Sequence, residues 1–335
     1  MAKPSITVLY DEVEDREATP NGDPPVYKEV RDALKERGYT VKTLAASADI
    51  HDLVGRIQRD ESELIFNLCE SLGGVDMHAI RVAALLELLG RPFTGTGSLG
   101  MTLAQDKALA KKIFAFHGIS YPKFSIMQAG QVEWSDELQF PLFVKPSNLD
   151  SSVGIDERAL VQNLKQLMER ISYIHTELKA PVLIEEFIEG REIFVGVLGC
   201  EAAAEALPIL EWDFSKVKRG PKFATAEAKW NENSEGYKAP EFFPSDIPDE
   251  ICARIRAAAV DACRALRILD YGRVDMRLRR TSRKKDGWEF YVIEVNPNPY
   301  LEEKSEVAMA ARKHDLEFGD LLERIIDSAL KRGAA

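Results

Sequence analysis

The sequence predicts an α/β protein of more than one domain, and three observations carry that prediction. Strand and helix patterns alternate through the N-terminal quarter, as in a parallel α/β unit. The length, 335 residues, allows two or three domains of ordinary size. Hydrophobic residues make up 45% and charged residues 30%, the balance of a soluble globular chain.

The elements follow in order. Residues 5–10 are a short β-branched, apolar run and read as the first strand. Residues 11–25 are polar and proline-rich. Val30, Ala33 and Leu34 give residues 27–37 a helical apolar stripe, which Gly38 ends. Residues 40–44 and 63–68 are the next strands, and 76–89 a helix ended by Gly90. The glycines at 95, 97 and 100 mark a boundary. Beyond it come a helix over 103–117, stopped by Gly118, strands over 121–127 and 142–145, a polar loop over 146–154, a helix over 158–173 and a strand over 182–185. Strands over 192–198, 272–278 and 288–295 and helices over 248–269 and 318–332 complete the chain. The division is therefore into 1–97, 98–186 and 187–335.

Lys and Arg number 44 against 55 Asp and Glu, a net charge of −11. That field excludes a general nucleic-acid or anionic-membrane binder but not a local pocket for one small anion. There is no signal-peptide core and no membrane-length apolar stretch. The four cysteines fit no zinc spacing and read as reduced thiols. A cytoplasmic protein is the expectation.

Three constellations carry chemistry. Arg273 and Asp275 are i and i+2 in a strand, on one face with Val274 behind them. Glu294 and Asn296 repeat the relation at a strand end closed by Pro297 and Pro299. If the two strands pair, Asp275, Glu294 and Asn296 form an all-oxygen set suited to Mg2+ with phosphate ligands. Second, Lys145 closes an apolar strand before a hydroxyl-rich loop, Ser147 to Gly154, of a kind that can cradle phosphates. Third, the strand ending in Glu185 runs into a link through Phe187 and Ile188 to Glu192, where main-chain groups can meet a base edge and Glu192 the ribose. Taken singly, each also reads as a surface hairpin, a plain turn or an inter-domain connection.

In this order the three closely resemble the ATP-grasp superfamily, and within it the D-alanine–D-alanine ligase family. Phe66-Asn67, Gly73-Gly74, the run from Ala84 to Gly95, Asp106-Lys107, Glu227 to Trp230 and Ala308 to Arg312 match as well. The resemblance implies a three-domain ATP-grasp fold with an N-terminal Rossmann-like parallel domain, α+β in the grasp domains. It implies ATP as co-substrate with two Mg2+ ions (Mn2+ as a substitute) and an acyl-phosphate intermediate. By resemblance Lys107, Lys145 and Lys229 contact phosphates and Ser151 lies in the covering loop. Glu185, Phe187 and Ile188 form the adenine hinge and Glu192 takes the ribose. Asp275, Glu294 and Asn296 hold metal, and Arg273 faces the reacting centre. A homodimer through the N-terminal region is a further family expectation.

The amino-acid half departs from the family. The first loop has no glycine and offers Glu12 or Glu14 for an ammonium. Glu70-Ser71 replaces His-Gly, Asp150 replaces a glycine, and Tyr300 stands where a glycine serves the oxyanion. Ser305 matches the serine that holds the acceptor carboxylate. The sequence therefore reads as a carboxylate–amine ligase with altered substrate pockets. A regulatory ATP-binding module and a ligase with a non-amino-acid acceptor are the alternatives. The basic residues Arg277, Arg279, Arg280, Arg283, Lys284 and Lys285 read as a solvated hairpin turn, and Lys216, Lys218, Arg219 and Lys222 as either a lid over triphosphate or a solvated loop.

Overall fold

The computed structural model describes residues 3–15, 24–128, 131–149, 153–199, 203–218, 221–231, 233–282 and 284–333. Ser151 and Asp150 lie outside them, as do Arg219 and Arg283. The first sheet is parallel. It is built from β1 (Ser5–Asp11), α1 (Val26–Glu36), β2 (Thr40–Ala46), α2 (Ile50–Arg59), β3 (Leu64–Asn67) and α3 (His78–Leu88), with strand order β2-β1-β3. Then come α4 (Ser98–Gln105), α5 (Lys107–His117), β4 (Phe124–Gln128), β5 (Gln131–Glu133), β6 (Leu142–Pro146), β7 (Leu160–Val161), α6 (Leu164–Thr176) and β8 (Val182–Glu186), whose strands form an antiparallel sheet β5-β4-β8-β6-β7. The last stretch holds β9 (Arg191–Leu198), β10 (Glu205–Ala206), β11 (Leu210–Trp212), α7 (Ala226–Trp230), β12 (Glu241–Phe242), α8 (Asp249–Ala265), β13 (Tyr271–Arg280), β14 (Trp288–Pro297), α9 (Glu306–Lys313) and α10 (Phe318–Gly333). Its sheet runs β12-β11-β9-β13-β14, with β10 beside β9.

Two differences from the expected elements have local causes. The helix expected over 103–117 is two helices, because the Asp106 carboxylate accepts from Ala108 N and Leu109 N at 3.1 and 3.0 Å and starts α5 afresh. The helix expected over 158–173 begins only at Leu164. There Asn163 caps it by accepting from Gln166 N at 3.1 Å, and residues 157–161 form a short turn and β7 instead. Residues 308–312 belong to α9, a separate helix from α10.

The first sheet is covered on both faces, whereas the second and third each hide one face and offer the other. The chain's last helix returns to cover the first sheet: Leu321, Leu322, Ile325 and Ile326 pack with Ile6, Val8, Leu34 and Phe66. On the opposite side Leu53, Ile57, Val82 and Leu86 pack with Leu9 and Leu44. In the second sheet Val144 and Ile184 lie under α6, with Leu167, Ile171 and Ile174. In the third, Val195, Val274, Met276 and Val292 lie with Ile251, Ile255 and Ala259 of α8. Strand alternation then turns Lys145, Glu185, Asp275 and Glu294 to the other faces, and all four line one cleft.

A buried carboxylate fixes the first and third parts together. Asp270 is wholly buried and accepts from Gly95 N, Ser328 Oγ and an Arg332 guanidinium nitrogen at 2.7, 2.9 and 2.9 Å. Gly95 has φ +95°, and a Cβ there would sit 2.5 Å from the Asn298 amide oxygen, which accepts from Thr96 N at 2.6 Å. The loop after β14 is thus pinned to the link between the first and second sheets. Among the described residues, no helix is long and apolar enough to cross a membrane.

Candidate active site

The expected pairing of the two acidic strands is present. Asp275 lies opposite Glu294, and Arg273 opposite Asn296. A β-bulge follows Asp275, where the register passes over Ile293. The carbonyl this frees accepts from the Lys111 ammonium at 2.8 Å. Lys111 was not among the residues singled out in the sequence. It is completely buried, 0% exposed, and also pairs with Glu185 at 2.8 Å, while Lys145 holds the other Glu185 oxygen at 3.0 Å. Burial pushes the Glu185 carboxyl up, but the two ammonium groups outweigh it and hold the carboxyl below its ordinary range. Glu185 therefore sits behind the expected adenine hinge as the shared counter-ion of two lysines.

Four cations gather around Glu294. Lys107 is buried, donates to Leu149 O at 3.0 Å and stands 3.9 Å from Glu294. Lys229, on α7, lines the same cleft as Lys145, Glu185, Phe187, Ile188 and Glu192. Arg273 grips Asp275 through two bonds of 2.8 and 3.0 Å and reaches Glu306 at 3.2 Å. Burial pushes the Glu294 carboxyl up, but Lys107, Lys145, Lys229 and Arg273 together hold it down at about 2. Burial dominates at Asp275 and raises it despite Arg273.

Whether these residues fit a metal can be judged from the donors. Among the described residues no group of three or more His, Cys, Asp or Glu side chains is gathered for a metal ion. Two carboxylates, Asp275 and Glu294, and the Asn296 amide are what the β13–β14 hairpin offers, and the Asn296 amide nitrogen is a buried polar atom with no partner. Ambiguity of amide orientation makes that atom equally an oxygen position. An incomplete, all-oxygen set that needs phosphate oxygens to finish it suits Mg2+.

The hinge side holds a residue that the sequence reading placed elsewhere. Arg277 is not in a solvated turn; it is buried. It lies opposite Glu192 and donates to that carboxylate and to Ile188 O, both at 3.0 Å. Its i+2 relation to Asp275 puts it on the cleft face, a signal that was available in the sequence. Lys222, one of the expected lid lysines, bends inward onto the carbonyls of Ser215 and Val217.

The residues expected to contact substrate lie in the turn after β1, the loop after β3 and the segment before α9. Asp11 accepts from Ser71 Oγ, Gly73 N and Gly74 N at 2.5, 3.2 and 3.1 Å, which ties the loop after β3 to the turn Glu12–Asp15. Within that turn it is Glu14 whose charge bears on Glu70 and Tyr300. Tyr300 is half exposed, and its hydroxyl is pushed up by burial and the nearby Glu302, Glu70 and Glu14. Ser305 caps α9, with its hydroxyl donating to Glu302 O at 2.8 Å.

Glu70 is exposed, yet the protein packed around it and Glu14 push its carboxyl up to about 8. A carboxyl raised in the folded state costs stability as pH climbs from its unfolded value to its folded one. Glu70→Gln removes that cost. Its gain in Tm over the parent is expected to grow between pH 5 and pH 8 and level off above; thermal unfolding at several pH values checks it, and a pH-independent gain contradicts it.

The family model described as D-ala D-ala ligase C-terminus matches residues 112–327. An uncharacterized protein of Sinorhizobium fredii, y4sG, is 34% identical over 271 residues, covering 81% of this chain and 76% of its own. The D-alanine–D-alanine ligase of Syntrophotalea carbinolica is 31% identical over 309 residues, 91% of this chain and 90% of its own. That of Bordetella pertussis is 36% identical over 247 residues, 73% and 72%. In fold, the crystal structure of the Bacillus anthracis D-alanine–D-alanine ligase complexed with ATP superposes with a TM-score of 0.75 at 23% identity, covering 99% of both chains.

Proposed function

The chain belongs to the D-alanine–D-alanine ligase family, with its ATP-grasp fold, and from there we propose that the cleft uses ATP to join a small carboxylate to an amine. One observation carries this reading: Lys107, Lys145, Lys229 and Arg273 converge on Glu294 between two sheets. A carboxylate attacks the γ-phosphate, ADP leaves, and the amine then displaces phosphate from the acyl phosphate. Negative charge gathers in both steps, and four fixed cations are placed to stabilise it. Lys107, Lys145 and Lys229 take the phosphates, with Ser151 in the covering loop. Phe187 and Ile188 take the base, with Glu185 behind them, and Glu192 the ribose. Asp275, Glu294 and Asn296 would hold Mg2+, two ions with Mn2+ as a substitute, and the metal when bound neutralises the phosphate oxygens. Arg273 orients Asp275 and faces the reacting groups.

The three sheets support the division at 97 and 186. The thiols of Cys69, Cys252 and Cys263 are free, which supports a cytoplasmic location. A homodimer belongs to the same reading.

The substrates of this reading are not two D-alanines. Tyr300 stands where the family has a glycine for the oxyanion, and the pair Glu70-Ser71, with Glu14 close by, replaces the family's His-Gly. Glu12 and Ser305 complete the proposed substrate pocket. With D-alanine as sole amino acid, ADP release is expected to stay near background. A panel of amino acids and amines, read by phosphate release and product mass, is expected to find the pair that turns over. Brisk formation of D-alanyl-D-alanine overturns the altered-substrate reading and leaves the ligase reading standing.

A further inference from the structure

Resting on the reading of the cleft as an ATP site, we propose that Arg277 is a positioning residue for the nucleotide, a latch that joins the hinge, the ribose carboxylate and the segment folded over them. One guanidinium makes contact with three parts of the cleft. Its Nε donates to Ile188 O at 3.0 Å, in the link that follows β8. A terminal nitrogen donates to a Glu192 carboxylate oxygen at 3.0 Å, across the β9–β13 pairing. Both terminal nitrogens lie 3.5 Å from Lys222 O. The group also lies over the Phe187 ring, 5.5 Å from its centre.

Two of the contacts that hold the segment over the cleft pass through this pair. Lys222 O meets Arg277, and Ala224 N donates at 3.2 Å to the same Glu192 oxygen that Arg277 holds. Between them Phe223 turns in, edge-on to Phe143 with ring centres 5.0 Å apart and 6.2 Å from the Phe187 ring. The second Glu192 oxygen is left for the ligand. A flexible Glu side chain at this point could take several rotamers; one fixed by a planar cation and a main-chain N–H presents its remaining oxygen in a single place. A fork of fixed N–H groups does this in a way that a lysine, with one point charge, does not.

The arrangement predicts a particular split in kinetics. Arg277 touches the hinge, the ribose carboxylate and the covering segment, and its hydrogen bonds go to none of Asp275, Glu294 or Arg273. Arg277→Met keeps the bulk against Phe187 and removes every one of the latch's hydrogen bonds. KM for ATP is expected to rise roughly 10- to 100-fold, the usual effect of losing hydrogen bonds to charged groups, while kcat falls far less. Arg277→Lys is expected to lie between parent and Met. Trypsin adds an independent reading, since Lys218 and Lys222 lie in the covering segment: ATP should protect that segment in the parent and protect it poorly in Arg277→Met.

Calorimetry of the parent with ATP tests the premise, and the ratio of variant to parent tests the latch. If the parent binds no ATP, the ATP reading fails and the latch falls with it. If the parent binds and Arg277→Met has KM and ATP protection within twofold of it, the latch alone is overturned. Should Arg277→Met fold poorly because Glu192 is left as a buried charge, Arg277→Met/Glu192→Gln removes that charge. A KM in the folded double variant well above that of Glu192→Gln alone supports the latch, and a KM equal to that of Glu192→Gln rejects it.

Discussion

Glu294→Gln is expected to lower turnover by roughly 10²–10³-fold, the range seen when one fixed electrostatic group is removed from a reacting centre, without loosening metal-free ATP. The reason lies in how many groups this one carboxylate serves. It stands 3.9 Å from Lys107 and feels Lys145, Lys229 and Arg273 as well, and their combined field holds it ionised down to about 2. Glutamine keeps the shape and takes away the charge. The four cations are then under-compensated, which favours a triphosphate in the absence of divalent metal. At the same time the oxygen set of Asp275, Glu294 and Asn296 loses one of its two carboxylates. The variant should therefore bind ATP alone at least as tightly as the parent, need more Mg2+ for half-maximal turnover, and release ADP far more slowly at saturation. Calorimetry in EDTA, a Mg2+ titration of the rate and the saturated rate measure the three. A parent-like rate at ordinary Mg2+ removes Glu294 from the metal site. Weaker metal-free binding contradicts the charge argument.

How much of this was legible in the sequence differs from place to place, for physical reasons. Asp275, Glu294 and Arg273 could be placed because strand alternation is a strict rule: i and i+2 share a face, and apolar neighbours said which face was buried. The pairing of Asp275 with Glu294 then follows from the hairpin, and it is found. Arg277 obeys the same alternation but was grouped with Arg279 and Arg280 as part of a basic turn. Only the fold brings Glu192 and Ile188 opposite it. Arg279 and Arg280 are also occupied, by Glu289 at 2.8 Å and by the Trp288 ring at 4.0 Å. Lys111 was harder still. Helix pattern alone places it on the inner face of α5, where a lysine looks like a solvated residue at the edge of a stripe. What makes burial tolerable is a carboxylate from one sheet and a bulge carbonyl from another, and neither a bulge nor a cross-sheet contact has a short-range signature. The break at Asp106 was readable in principle, since Asp is a strong cap, but a capping Asp and a surface Asp look alike until the helix direction is known.

Lys111→Met should be the most damaging substitution for stability among the residues behind the cleft. A buried ammonium with two good partners contributes little over an apolar core, yet removing one member of such a group strands the others, at a cost of about 3–5 kcal/mol. Here two groups are stranded at once. Glu185 keeps only Lys145, and the Ile293 carbonyl, freed by the bulge, has lost its donor. Two consequences separate this from a simple packing defect. Glu185→Gln in the Lys111→Met background should recover part of the loss, because the unpaired charge is gone. The pH dependence also has a fixed sign. Glu185 is held below its ordinary range in the folded state, so its ionised form contributes stability above the unfolded pKa that is lost as pH falls through the folded one. In Lys111→Met much of that contribution is absent from the start, so the gap between variant and parent should be widest near neutrality and narrow in acid. Catalysis should register the same event, because a Glu185 with one partner draws Lys145 more firmly away from phosphate and raises KM for ATP. Urea unfolding at neutral and acid pH, with ATP kinetics on the folded variant, tests all of this. If the gap in unfolding midpoint does not change with pH, the damage comes from lost volume and the buried charge pair is not what holds the two sheets together.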